Sequence, residues 1–151
     1  RQNAKNTINE LLNMGLIPVI NENDTVSTDE IEFGDNDTLS AWVSSLIDAD
    51  LLIILSDIDG MFTSDPRKSD SAELIPEINE LTEELNGCIS GSNSEFGTGG
   101  MESKVQAASH CLEHDIDMII TNGSDPNIIH QVLDGKKVGT YFISKKKLIS
   151  A

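Results

Sequence analysis

The 151-residue sequence lacks the features that mark three classes of protein. Its longest apolar run, at 51–55, is far shorter than the roughly 20 residues of a membrane-spanning helix. The sequence does not open with a basic stretch followed by an apolar segment, so its first residues do not predict a signal peptide. Its two cysteines, Cys88 and Cys111, have no CxxC spacing, which argues against a disulfide framework or a zinc ribbon. These absences favour a single globular domain with reduced thiols in the cytoplasm.

Basic residues are scarce as well, with Lys+Arg 10 against Asp+Glu 26 and a formal net charge of −16. No lysine or arginine lies between Lys5 and Arg67, although that stretch contains thirteen acidic residues. Such a surface repels the phosphates of nucleic acids and anionic membranes, so we expect neither as a partner. A polyanionic ligand here would need a metal ion or cations from elsewhere in the protein.

The spacing of apolar residues predicts alternating helices and strands. Helices are predicted at 1–14, from Asp37 onward, and at 82–86, 101–113 and 126–133; strands are predicted at 16–21, 51–55, 74–75, 117–121 and 139–143. Gly15 is expected to end the first helix, and Asp35 or Asn36 to cap the second. The continuous apolar run at 51–55 is typical of a central parallel strand that is covered on both faces.

This alternation favours an α/β fold with a mainly parallel sheet and helices on both faces. Ligands of such sheets bind beyond the carboxyl ends of the strands. We therefore expect functional residues in the loops after Ile20, Leu55 and Ile120.

A glycine-rich segment at 97–104 is the strongest candidate for phosphate binding. Its glycines allow close approach of the backbone, and the helix predicted to follow points its positive end at the same place. Lys104 is expected about one turn into that helix, where it can reach back as a point charge. The segment does not fit the Walker pattern, and a flexible surface loop stays open as the alternative.

Acidic and amide side chains are predicted at two other strand or helix ends. Asp35, Asn36 and Asp37 could hold a substrate ammonium group, orient a lysine or receive a metal, although helix capping explains at least one of them. Asn21 and Asp24 follow a predicted strand and could bind a small polar molecule or form an ordinary turn. Neither these residues nor the Ser56-Asp57 pair after the next strand fits an EF-hand.

The segment at 110–114 matches the HxxEH pattern of inverted zinc peptidases. Ala108 and Leu112 define the buried face of that helix, and a third zinc ligand has no obvious source. We therefore interpret His110 and His114 as exposed helix residues and predict no zinc site.

Five segments taken together resemble the glutamate 5-kinases of the amino acid kinase superfamily. They are INEND at 20–24, GDND at 34–37, an apolar strand ending in Ser-Asp, DPR at 65–67 and GTGGMxSK at 97–104. The resemblance extends from residue 1 to about 142. It implies a three-layer αβα sandwich that uses ATP and Mg²⁺ to phosphorylate the side-chain carboxylate of L-glutamate. The product, L-glutamyl 5-phosphate, is the first intermediate of proline biosynthesis, and a cytoplasmic homo-oligomer is expected.

The resemblance also implies a role for individual residues. Asp24 and Asn36, with Asn21 beside them, would bind glutamate, and Asp37 would organise the catalytic lysines. The ATP-binding residues would be Ser56, Asp57, Thr98, Gly99, Gly100, Met101, Glu102, Ser103 and Lys104. Lys104 would be catalytic because it neutralises the transferred phosphoryl group. Ser56 replaces the usual threonine but keeps the hydroxyl, and no residue is assigned to a metal.

The sequence departs from this family at both ends. Family members begin with a strand and a glycine-rich loop that carries a second phosphate-binding lysine and a glutamate-contacting serine. Residues 1–151 begin at Arg1, after the point where the resemblance places these elements, and are not expected to contain the PUA domain of many family members. We therefore expect residues 1–151 to be one amino acid kinase domain that lacks its N-terminal part, the carboxyl-terminal half of the fold, with little turnover alone.

Two other functions remain open at this point. One is a relative with a different substrate, namely acetylglutamate, carbamate or a nucleoside monophosphate, which INEND and GDND disfavour. The other is a nucleotide-binding module without catalytic activity.

Overall fold

A computed structural model describes residues 2–21, 35–82 and 98–145. Its elements, in chain order, are α1 (Gln2–Asn13), α2 (Asn36–Leu46), β1 (Leu51–Ser56), β2 (Glu77–Ile78), α3 (Thr98–Glu113), β3 (Asp117–Asn122), α4 (Ile128–Leu133) and β4 (Thr140–Phe142). The helix predicted at 82–86 falls almost wholly outside the described residues. None of the helices in the described ranges is both long and apolar enough to cross a bilayer.

The four described strands form one mixed sheet in the order β1-β3-β4-β2. β1 pairs parallel with β3, from Leu51 opposite Asp117 to Ser56 opposite Asn122. β2 also pairs parallel with β4, whereas β3 and β4 are antiparallel. The predicted α/β fold with a mainly parallel sheet is therefore confirmed. The parallel register places the carboxyl ends of β1 and β3 side by side, where ligands of such sheets bind.

The apolar run at 16–21 was predicted to be a strand, and this prediction is wrong. The segment pairs with no strand in the described part of the chain, and residues Ile17 and Val19 are 90% and 93% exposed. An apolar run favours burial, but a strand also needs a neighbour for its backbone hydrogen bonds. β1 lies at an edge of the described sheet and not at its centre, and Leu55 is 43% exposed, so this strand is not covered on both faces as predicted.

Several other boundaries differ from the prediction. Leu74 forms only an isolated bridge with Phe62, and the short strand lies slightly later, at Glu77–Ile78, where it pairs with β4. β4 begins after Gly139, whose φ of +78° turns the chain into the sheet. Helix α4 is shorter than predicted, since it begins at Ile128 and not at residue 126.

The hydrophobic core lies between the sheet and helix α3. Phe142, Met118 and Ile120 of the sheet are fully buried against Ala107 and Cys111 of α3. Helix α2 packs against α3 and contributes Ala41, which is also fully buried. Small side chains let two helices approach closely, and this contact sets the relative position of the first turns of α2 and α3.

Candidate functional site

The N-terminus of α2 is capped by Asp35, one of the two predicted candidates. Asp35 has extended φ and ψ angles, and its Oδ1 accepts a hydrogen bond of 2.7 Å from the backbone N–H of Thr38. Its Oδ2 accepts a second bond, of 3.1 Å, from the Thr38 hydroxyl. Asp35 therefore has a structural role, whereas Asn36 is exposed and Asp37 is half-buried in the first turn of the helix.

The glycine-rich segment forms the beginning of helix α3. We predicted a loop up to Gly100, but the helix already begins at Thr98 and includes Gly99 and Gly100. Lys104 consequently lies almost two turns into the helix, not one. The first-turn N–H groups of a helix have no intrahelical partner and attract anions, and the first turn of α3 contains no acidic residue that would compete.

Lys104 and Asp37 join the two segments. The Lys104 ammonium group lies 3.0 Å from Asp37 Oδ2, and the two side chains are only 11% and 20% exposed. The Ser103 hydroxyl donates to the same carboxylate oxygen at 3.0 Å. Lys104 also donates to the carbonyl oxygen of Gly100 at 3.2 Å. The ammonium group is thus held next to the first turn of α3, where it can contribute positive charge to an anion site.

A groove of about 650 Å³ lies along α2 and includes Asn36 at the N-terminus of that helix. Two of the predicted substrate residues, Asn21 and Asn36, line it together with apolar and hydroxyl side chains of Val19, Ile20, Leu39, Ser40, Val43, Ser44 and Leu52. The groove is large enough for an amino acid, and its amides can pair with polar groups. Asp24, the third predicted substrate residue, lies outside the described residues.

The predicted nucleotide pair lies at the carboxyl end of β1. The Ser56 hydroxyl donates to the carboxylate of Asp57 at 3.2 Å, and the Asp57 side chain is exposed. The Ser56 carbonyl accepts from the backbone N–H of Gly123 at 2.9 Å, which ties the loops after β1 and β3 together. Of the other predicted ATP residues, Glu102 is exposed, and the half-buried side chain of Met101 packs against the core.

One polar pair at this edge was not predicted from the sequence. The amide of Asn122 donates to Asp59 at 2.9 Å, and its oxygen accepts from Ser124. Its position in the predicted loop after Ile120 was the available signal, but residue type alone did not distinguish Asn122 from its neighbours.

A smaller groove, of about 310 Å³, lies where α2 meets α3. There the His110 ring stacks on Trp42, with centroids 4.7 Å apart, and its Nε2 lies 2.8 Å from the Ser45 hydroxyl. His110 is therefore half-buried, contrary to our prediction of an exposed residue, whereas His114 is exposed. Burial, assisted by the neighbouring His114, lowers the pKa of His110 from its usual 6.5. Within the described ranges, no group of three or more His, Cys, Asp or Glu side chains could hold a metal ion.

The chain is similar to known proteins in both sequence and fold. The model of the amino acid kinase family matches residues 1–122. Glutamate 5-kinase of Listeria monocytogenes serotype 4a is 49% identical over 154 residues, which cover 99% of this chain and 56% of the relative. Glutamate 5-kinase of Carboxydothermus hydrogenoformans is 51% identical over 145 residues, which cover 96% of this chain and 39% of the relative. The chain spans about half the length, or less, of these curated relatives.

Solved structures share the fold at much lower identity. UMP kinase from Ureaplasma parvum superimposes with a TM-score of 0.65 at 19% identity, covering 93% of this chain and 53% of that one. UMP kinase from Bacillus anthracis gives a TM-score of 0.63 at 17% identity, covering 93% of this chain and 51% of that one. At such identities the likeness concerns the fold alone.

Proposed function

Because the chain belongs to the amino acid kinase family, we propose that it carries the glutamate-binding and phosphate-binding surface of an ATP-dependent glutamate 5-kinase. The reaction would convert L-glutamate to L-glutamyl 5-phosphate, the first step of proline biosynthesis. The observation that carries this proposal is the ion pair between Lys104 and Asp37, since it connects a candidate acceptor site to a candidate phosphate site. Relatives named glutamate 5-kinase, 49% and 51% identical, support the choice of substrate.

The proposed reaction depends on stabilisation of negative charge and on the positions of the reacting groups more than on proton transfer. A carboxylate oxygen of glutamate attacks the γ-phosphorus of ATP, one O–P bond forms, and the bond to the departing ADP oxygen breaks. Because this nucleophile is already deprotonated at neutral pH, no general base is required. Asp37 therefore serves to hold the Lys104 ammonium group in place. Lys104 stabilises the negative charge on the phosphoryl oxygens during transfer.

Glutamate would bind in the 650 Å³ groove beside the first turn of α2. The side-chain amides of Asn21 and Asn36 can donate to its carboxylates and accept from its ammonium group. Asp24 would pair with that ammonium group. Asn36 directly precedes Asp37, so an acceptor bound in this groove lies close to the Lys104 ion pair.

ATP would place its phosphates at the N-terminus of α3. The backbone N–H groups of Thr98, Gly99 and Gly100 and the Lys104 ammonium group would bind them, with Ser56 and Asp57 at the nucleoside end. Mg²⁺ bound to ATP would neutralise phosphate charge, and we assign it to phosphate oxygens and water, as is usual for this ion.

The chain spans about half the length of its relatives, so we propose that residues 1–151 bind nucleotide but turn over slowly on their own. We also expect the enzyme to work as a homo-oligomer in the cytoplasm. Sedimentation of the purified protein and fractionation of the cells would measure these two properties.

The decisive experiment measures acyl phosphate formation by the complete gene product. Hydroxylamine traps glutamyl phosphate as a hydroxamate, and we expect that product with ATP and L-glutamate, but no phosphorylation of acetylglutamate, carbamate or UMP. Asp24→Ala should chiefly raise the KM for glutamate. Calorimetry separates the alternatives: binding of both ATP and glutamate supports the kinase, whereas binding of ATP alone supports a non-catalytic module and contradicts the proposal.

A further inference from the structure

We infer that Ser103 is a positioning residue, which holds the Asp37 carboxylate in place for Lys104, and not a ligand of the ATP phosphates. This inference rests on the proposed function. Ser103 lies on α3, directly before Lys104, and only 6% of the residue is exposed. It is therefore poorly placed to meet a ligand that arrives from solvent, although the sequence motif grouped it with the ATP-binding residues.

The Ser103 hydroxyl lies within hydrogen-bond distance of two acceptors. Its Oγ is 3.0 Å from Asp37 Oδ2 and 3.1 Å from the carbonyl oxygen of Gly100. A hydroxyl has one proton, and the charged carboxylate is the stronger acceptor. The Gly100 oxygen also accepts from the Lys104 ammonium group. The proton of Ser103 is therefore committed to Asp37 and is not available to a phosphate oxygen.

Two donors on Asp37 Oδ2 fix the orientation of the carboxylate more firmly than a single donor would. Lys104 has four rotatable bonds in its side chain, so by itself it orients Asp37 poorly. The Ser103 hydroxyl starts from a helix backbone and has one rotatable bond before its oxygen. It therefore gives Oδ2 a rigid partner, and through Asp37 it restricts where the Lys104 ammonium group can lie. Since Ser103 is buried, water cannot readily take the place of a deleted hydroxyl.

The first test is kinetic and uses the complete gene product. A hydrogen bond to a charged group corresponds to a factor of about 10 to 100, so Ser103→Ala should lower kcat by that factor. The KM values for ATP and glutamate should stay within about twofold, because neither substrate contacts the hydroxyl. Ser103→Thr keeps the hydroxyl and should restore most of kcat. A raised KM for ATP with unchanged kcat would identify Ser103 as a phosphate ligand and overturn the inference.

A matched control lies on the same helix. Among the described residues the Ser109 hydroxyl donates to Glu113, at 3.3 Å and five positions after Lys104, so Ser109→Ala should leave kcat unchanged. A double-mutant cycle then separates positioning from general support of the fold. If Ser103 acts through Asp37, adding Ser103→Ala to Asp37→Asn should lower kcat little further. Fully additive losses would contradict the inference.

A chemical measurement tests the inference without relying on glutamate as the substrate. Acetic anhydride acetylates free lysine amines, and mass spectrometry of the digested protein reports the rate at Lys104. Ser103→Ala should make Lys104 react several-fold faster, because its anchoring carboxylate is no longer fixed, whereas Ser109→Ala should not. An unchanged rate would refute the positioning role. Absence of hydroxamate in the wild-type protein would instead refute the proposed function and leave this measurement valid.

Discussion

Asp37 Oδ2 and Lys104 Nζ lie 3.0 Å apart although 67 positions separate the two residues in the chain. They start from different helices, and both side chains are largely shielded from solvent. Such a pair is screened less than a surface ion pair, so removing one partner leaves a poorly solvated charge. The loss of solvation is offset by the attraction between the two charges and by the hydrogen bonds to the carboxylate.

Asp37→Asn should therefore impair catalysis more than binding. The amide cannot hold Lys104 as a carboxylate does, and misplacing a cation aimed at the phosphoryl group costs about 3 kcal/mol, or roughly a hundredfold in kcat. Steady-state kinetics of the complete gene product measures this loss. Asp35→Asn is the matched control, because asparagine also caps helices and should leave kcat nearly unchanged. Full activity of the Asp37 variant would contradict the role assigned to the pair.

Asp35 should stabilise the folded protein because it caps the N-terminus of α2. Replacing it with alanine removes the acceptor of the Thr38 N–H bond, so the free energy of unfolding should fall by about 1 kcal/mol. Urea denaturation followed by circular dichroism gives this difference. Asp35→Asn should recover most of it, and a loss of equal size in both variants would indicate that the charge matters and not the cap.

Two glycines with similar backbone angles should respond very differently to alanine. Gly135 and Gly139 have φ values of +75° and +78°. An alanine at either position would have a left-handed backbone conformation, which costs about 1 kcal/mol. An added Cβ has open space at Gly135. At Gly139 it would overlap the carbonyl oxygen of Ile120 and lie 2.9 Å from the Cβ of Thr121. Gly139→Ala should therefore cost more than about 3 kcal/mol in the free energy of unfolding.

Urea unfolding of both glycine variants measures the difference between them. Equal losses would mean that backbone strain alone explains the effect of Gly139→Ala on the free energy of unfolding, and that the close approach of β3 adds nothing to it.

His110 should make stability depend on pH. Since burial lowers its pKa from 6.5, the folded protein binds this proton less readily than the unfolded chain does. Above about pH 6.5 this group therefore does not change the free energy of unfolding. As the pH falls below 6.5, the free energy of unfolding decreases until the pH has passed the lowered pKa. His114 reinforces the shift, and Glu113 opposes it. Thermal unfolding between pH 8 and pH 5 should show a decrease in Tm in that range.

The control for this prediction is His110→Gln, which removes the titrating group and should flatten that part of the Tm profile. A profile that keeps its full slope without His110 would assign the effect to other groups.

The sequence predicted most of the elements because their signals are local. Amphipathic spacing located α2 and α3, and the apolar run located β1 to within one residue. Sheet order was not predictable in this way, because the 16–21 segment and β1 are both apolar and only β1 has a partner among the described strands. Apolarity encodes a preference for burial, whereas pairing depends on segments far away in the chain.

The candidate site was predicted from two segments that are far apart in the chain and were expected to meet at one edge of the sheet, and the roles of their residues stay predictions. Residue types and motif order indicated Asp37 and Lys104, but no local signal indicated that Ser103 would bond to Asp37, 66 positions earlier. The half-buried His110 was missed for a related reason. Its environment is created by Trp42 and Ser45 of a different helix, which helical periodicity within α3 does not report.

The long sequence separation of the Asp37–Lys104 pair has a consequence for folding. The chain that joins α2 to α3 includes β1 and β2, and closing so long a loop is entropically unfavourable until those segments are in place. The pair therefore forms late, after secondary structure that depends on neighbouring residues. A partly folded intermediate would contain both helices yet lack this ion pair, so during refolding the recovery of any activity that depends on the pair should lag behind the recovery of helical signal.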